Sequence, residues 1–258
     1  MIEPVLITSD CLSLAWARAF EQVLLPGPTK PILIQIGTLG GNIVECDEIR
    51  SRLDRSLSDR GLSSTATVAN TIFPASIWNP KRPRKELYER YEAIWPRVKR
   101  CRPNRNGVYF QRLVAFPEFG AGSRNQLEYI ITTYIGGNHR YSAHQASIYA
   151  PAIDATDQRQ RGFPCLQQVA FRVESKELTV IGFYPTQYIF EKAYGNYLGL
   201  CRLGMFMAHE IGVTLAGLCC FVTHPVAGAA GKGALQLLGS MIKHISDRSD
   251  ANTHEDIG

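Results

Sequence analysis

The 258-residue sequence has no apolar run near the ~18 residues of a membrane span, so no spanning helix is indicated. Its opening, MIEPVLITSD, lacks a basic end followed by an apolar stretch, so a secretory leader is not expected and a cytoplasmic setting is. The seven cysteines (11, 46, 101, 165, 201, 219 and 220) form no CxxC pair and no Cys/His spacing suited to zinc. Their odd number points to free thiols in a reducing compartment instead of a disulfide framework. Charge of one sign is in short supply as well: the net value is only +5. That bias is compatible with an anionic small substrate and too weak to indicate a nucleic-acid partner. With no internal repeat and no clear linker, the economical reading is one α+β domain over residues 1–245. A polar tail, 246–258, is expected to be disordered.

The periodicity predicts the elements. Asp10 to Leu25 carries Leu12, Ala15, Trp16, Ala19, Phe20, Val23 and Leu24 at helical spacing, with Ser9 or Asp10 as the cap and Pro26-Gly27-Pro28 as the stop. Pro31 to Ile36 is a strand, Cys46 to Leu62 is helical, and Val68 to Ile77, rich in β-formers, reads as a strand. Lys85 to Trp95 is a helix inside the basic stretch Lys81 to Arg105, which reads either as an anion-binding face or as a solvated surface. Gln126 to Ile135 is a helix stopped by Gly136-Gly137, and Gln145 to Tyr149 is a strand. Gln167 to Val173 and Leu178 to Phe183 alternate as an antiparallel hairpin. Gly195 to Gly212 is a long apolar helix, Val213 to Val222 a buried strand, and Gly233 to Ile245 the last helix.

The window Gly162 to Gly199 is the most informative. Cys165 follows a proline at the mouth of the hairpin, after the polar loop DATDQRQRG. A thiol there is either structural or a nucleophile, and reactivity requires surroundings that favour the thiolate. The run PCLQQVAFRVESKELTVIGFYPTQYIFEKAYGNYLGL resembles the thymidylate synthase superfamily, which carries a Pro-Cys site, a hairpin, an Arg-Ser-x-Asp element, a substrate-binding Asn and a long central helix. Upstream, NGVYFQRL resembles the family's Tyr-Gly segment. Asn125-Gln126-Leu127 is similar to its Asp-Gln-Ile helix start, and Ser147-Ile148-Tyr149-Ala150-Pro151 to its Ser-Ala-Trp-Asn-Pro strand end. The similarity runs in register from about Leu6 to Leu200. The lack of an early Asp-Arg-Thr-Gly loop brings the chain closer to the archaeal-type and hydroxymethylase branches, those acting on dCMP or CMP among them.

The resemblance implies a thymidylate synthase-like fold, a mixed β-sheet packed with helices. It also implies transfer of a methyl or hydroxymethyl group from methylenetetrahydrofolate to carbon-5 of a pyrimidine nucleotide or nucleoside. Cys165 would be the nucleophile, Tyr109 a hydroxyl in the proton relay and Asn196 the base reader. An Asn suits that task because one amide both donates and accepts. Arg140, Thr186 and His224 would contact the substrate, Tyr149 would face the folate, and the protein would be a homodimer.

The same alignment shows departures. The Arg-Ser-x-Asp element falls on Pro185-Thr186-Gln187-Tyr188, so the phosphate-clamping arginine is a proline. Losing such a charge-assisted contact costs ~2–3 kcal/mol of binding. Of the paired arginines only Arg140 remains, and the segment VTHPVAG offers His224 without the expected tyrosine. Three outcomes follow: a different pyrimidine substrate, a phosphate held by Arg112, Arg161 or the Lys81 to Arg105 stretch, or a catalytically silent synthase-like binding and assembly module. The histidines suggest no metal site, because His139 and His144 are badly spaced and His209-Glu210 sits on the long helix. VAGAAGKGA (226–234) fails the phosphate-loop pattern and reads as a glycine-rich entry to the last helix.

Overall fold

A computed structural model describes residues 3–117, 125–155, 163–228 and 232–255. The chain opens with β1 (Val5–Ser9), α1 (Leu12–Leu24), β2 (Ile32–Gly37), α2 (Asp47–Ser58), α3 (Thr65–Ile72), α4 (Arg84–Arg100) and α5 (Tyr109–Val114). Next come α6 (Gln126–Ile135), β3 (Gln145–Ser147), the short α7 (Pro151–Asp154), β4 (Gln168–Glu174) and β5 (Glu177–Tyr188). A π-helical turn, Ile189–Ala193, leads into α8 (Tyr194–Ile211), then β6 (Thr214–Val226) and α9 (Lys232–Glu255). Among the described residues the strands form one six-stranded mixed sheet in the order β1-β2-β6-β5-β4-β3. β1 runs parallel to β2 and β5 parallel to β6, and the remaining neighbours are antiparallel.

Local chemistry accounts for much of this. β4 and β5 are joined by Ser175 and Lys176, both at positive φ, which gives the two-residue turn whose twist matches the hairpin. α1 buries Leu12, Ala15, Trp16, Ala19, Phe20 and Val23 along one stripe. Its Trp16 indole N–H donates to the Ile189 carbonyl at 2.8 Å, which ties the first helix to the π-helical turn. α9 packs on α1 through Leu235, Leu238, Ile242 and Ile245. It continues to Glu255, so the polar segment after Ile245 prolongs the helix as far as that residue instead of leaving it.

One expected element has the wrong type. The stretch beginning at Val68 is no strand. Thr65–Ile72 is helix α3, capped by Ser64, whose hydroxyl accepts the Thr67 N–H at 3.2 Å. Thr65, Val68, Ala69 and Ile72 are buried at helical spacing against α8, and that packing overrides the β-propensity of threonine, valine and isoleucine. The approach is close because α8 presents glycine. A Cβ at Gly195 would lie 2.5 Å from Val68 Cβ and 2.7 Å from the Thr65 carbonyl oxygen. Gly195→Ala is therefore expected to destabilise the fold by about 1–3 kcal/mol through overpacking, measured by urea unfolding. A neutral result would mean that α3 moves freely on α8.

α8 covers one face of the sheet. The other face carries Leu6 on β1, Ile181 and Phe183 on β5 and Phe221 on β6, all exposed, with the Phe183 and Phe221 rings stacked at 6.1 Å. The N-terminal half of the basic stretch is paired with carboxylates. Arg84 donates to both oxygens of Glu128 at 2.7 Å, Arg82 and Arg90 reach Glu86, and Lys85 reaches Glu89. These bonds lift the Arg84 pKa further above its ordinary value, the Glu128 hydrogen bond being the largest cause. The solvated-surface reading of the stretch fits these pairs.

Candidate active site

Cys165 sits in the short turn ahead of β4. The Gln167 side chain donates to the Pro164 carbonyl at 2.7 Å, and the Gln167 N–H donates to the Phe183 carbonyl at 2.9 Å, so the turn is pinned to β5. Gly107 brings the segment before α5 against this turn. It has φ +134°, and a Cβ there would fall 2.4 Å from the Phe163 ring. Only glycine meets both conditions. Two residues on, Tyr109 packs its ring against Phe163 with centroids 5.2 Å apart. The backbone of Cys165 and Leu166 acts on its hydroxyl, favouring the ionised form against the effect of burial.

These residues open on a cavity of about 420 Å³. One wall is Thr67, Val68 and Thr71 of α3, and another is Asn104 and Gly107 to Tyr109 with Phe163 and Cys165. The end of β5 contributes Gln187 and Tyr188, the π-helical turn Glu191 and Lys192, and the first turn of α8 Asn196. Asn196 is 3% exposed, and no described residue hydrogen-bonds its amide. Among the described lining residues Lys192 is the one cation and Glu191 the one carboxylate.

Of the residues singled out in the sequence, Cys165, Tyr109 and Asn196 meet at this cavity. The other four do not line it. Thr186 and His224 are paired neighbours on β5 and β6, with His224 exposed. Arg140 is exposed, its backbone N–H on the Asn138 side chain at 3.3 Å. Tyr149 lies half-buried beyond β3, its N–H bound to the Gln167 carbonyl at 3.2 Å. Arg112 is buried and paired with Asp154 at 2.8 Å, and its guanidinium stands over the Phe163 ring at 5.5 Å. Arg161 and residues 229–231 of the glycine-rich entry lie outside the described residues. No cluster of three metal-ligating side chains exists among the described residues, and no described helix is long and apolar enough to cross a membrane.

Sequence reasoning missed Gln187 and Lys192. The available signals were an amide ending an apolar alternating strand and an isolated cation: Lys192 is the only lysine or arginine between Glu177 and Cys201. Burial pushes the Cys165 thiol above its ordinary value, and the Lys192 charge opposes the rise. Burial, with the Cys165 charge adding to it, also holds the Tyr109 phenol far above its usual range. Tyr109 therefore stays protonated and can hold or relay a proton. For Cys165 the sign is that thiolate is scarce at neutral pH and grows as pH rises past the usual thiol value, so alkylation by iodoacetamide is expected to lag that of the exposed Cys101 at pH 7. Its rate should still be climbing above pH ~9, and Lys192→Met should slow it further. Peptide-mapped rates check this, and a plateau below pH ~8 would contradict it.

No family model matches the sequence, and no curated protein matches it. Among solved structures, thermostable thymidylate synthase A from Bacillus subtilis superposes with a TM-score of 0.51 over 83% of this chain and 78% of its own, at 11% identity. The fold is thymidylate synthase-like. At that identity the similarity concerns the fold, and any chemistry has to be argued from the cavity itself.

Proposed function

We propose that the protein activates carbon-5 of a pyrimidine through a Cys165 adduct and directs a one-carbon unit, methyl or hydroxymethyl, to that carbon. The observation that carries this reading is the meeting of Cys165, Tyr109 and Asn196, from three distant parts of the chain, at one cavity. In the reaction the thiolate sulfur bonds to carbon-6 and the electron pair of the 5,6 double bond moves to carbon-5 and the adjoining carbonyl. Carbon-5 takes up an electrophile and gives up its original proton. The double bond then re-forms as the carbon–sulfur bond breaks. A thiolate suits both ends of the sequence, being a strong nucleophile and an adequate leaving group. Asn196 would read the ring, and Tyr109 would hold the proton exchanged at carbon-5.

By resemblance the donor is methylenetetrahydrofolate, which would also supply the hydride for a methyl product, while water would complete a hydroxymethyl one. Tyr149, the residue expected to face it, stands outside the cavity, so the chemistry supported by the described residues ends at the activated carbon. Pro185 replaces the phosphate-clamping arginine, and among the described lining residues one lysine is the only cation, which favours an uncharged nucleoside over a monophosphate. The exposed apolar row on the sheet face supports a homodimer packed sheet to sheet. A second reading, a silent binding module, draws on the raised Cys165 thiol.

The test is release of tritium to water from carbon-5-labelled pyrimidine nucleosides and their 5′-monophosphates, with and without the folate. Release from a nucleoside supports the proposal. Tight binding with no release supports the silent module.

A further inference from the structure

Gln187 occupies the end of β5 and borders the cavity, yet it is 1% exposed. Its amide has a fixed orientation. The Tyr197 hydroxyl, itself buried, donates to Gln187 Oε1 at 2.8 Å. Tyr197 follows Asn196 on α8, so the helix that delivers one amide to the cavity also orients a second. What remains is Gln187 Nε2, a buried donor with no hydrogen-bond partner among the described residues. Buried donors in folded proteins nearly always have partners, and an orphan that borders a cavity marks the place where a ligand acceptor belongs. An amide N–H₂ held by its own oxygen donates only, and it prefers the in-plane lone pair of a carbonyl. Donation to a phosphate would be served equally by Lys192, which is exposed and mobile in the general way of lysines. A buried, oriented, neutral donor is suited instead to a neutral ring carbonyl.

Resting on the reading of the cavity as a pyrimidine site, we propose that Gln187 is a specificity-determining residue. Its Nε2 donates to one ring carbonyl of an uncharged 2,4-dioxopyrimidine nucleoside, with Tyr197 as its positioning residue. Together with Asn196 it gives the cavity two amides for two faces of the ring's hydrogen-bonding edge, and it selects rings that carry the second carbonyl.

The experiment compares binding of uridine, 2-thiouridine and 4-thiouridine by calorimetry, sulfur being the poorer acceptor. The wild-type protein is expected to bind one thio-nucleoside about tenfold more weakly than uridine through loss of the Gln187 bond. Gln187→Leu should bind that pair within about twofold of each other, since the donor is gone. Tyr197→Phe keeps the ring and loses only the orienting hydroxyl, so it should give an intermediate ratio, and it serves if the leucine variant does not fold. A carbonyl-to-thiocarbonyl ratio unchanged from wild type in these variants would overturn the role of Gln187 while leaving the pyrimidine site standing. Failure of the folded wild-type protein to bind any of the three would overturn both.

Discussion

Replacing Arg112 with methionine is expected to cost about 3–5 kcal/mol of stability, the range for breaking a buried ion pair by removing one partner. Arg112 is 8% exposed and Asp154 7%, and Nη2 donates to the carboxylate at 2.8 Å. The other carboxylate oxygen accepts the Ala150 N–H, also at 2.8 Å, so the pair joins α5 to the start of α7. Gln126 reinforces the joint by donating to the Arg112 carbonyl at 2.9 Å and the Ser147 carbonyl at 2.8 Å. Methionine fills much of the volume and takes the Arg112 cation away from a carboxylate in a place that water scarcely reaches. The melting temperature should fall by roughly 10 °C for a chain of this size. Adding Asp154→Leu to Arg112→Met should restore part of the loss, because the buried carboxylate that lost Arg112 goes too. A shift within experimental error of wild type would mean that the pair contributes nothing net. The site should feel the change as well: the guanidinium lies over Phe163, whose ring packs on Tyr109 beside Cys165.

Cys165→Ala is expected to reduce carbon-5 tritium release by at least about 10³-fold, to the uncatalysed background. None of the other lining groups can substitute. Cys101, the second thiol at the cavity, is exposed at the end of α4 and does not belong to the turn that holds Cys165, and Lys192 offers no thiolate. Alanine preserves the turn, whose anchoring bonds run through Gln167 and Pro164, so stability should change by little while turnover vanishes. Release that survives the substitution would remove the thiol from the mechanism.

The parts of the fold legible in the sequence are those whose signal is local. α1, α6 and α8 declare themselves by apolar spacing and by proline or glycine stops, and the hairpin by alternation on either side of Glu174 to Glu177. α3 was illegible because its β-branched residues favour a strand and only the glycine surface of α8, more than a hundred residues away, makes a helix the better packing. β1 is five residues long and carries too little pattern to register. In the site, Cys165, Tyr109 and Asn196 could be found from motif order. Gln187 and Lys192 could not, since their meaning depends on where β5 and the π-helical turn end in space. Thr186, His224, Arg140 and Tyr149 were read from alignment alone, and burial and strand register set them apart from the cavity.

The central claim is that Cys165 adds to a pyrimidine ring, and the most direct measurement is intact-protein mass spectrometry after acid quench with a 5-fluoropyrimidine nucleoside. Fluorine makes carbon-6 more electrophilic and cannot leave carbon-5 as a cation in the way hydrogen leaves as a proton, which favours the adduct. The account predicts a mass increase of one nucleoside, mapped to the peptide containing Cys165 and absent from Cys165→Ala. Saturating binding of the nucleoside with no added mass, or added mass on another cysteine, would contradict it.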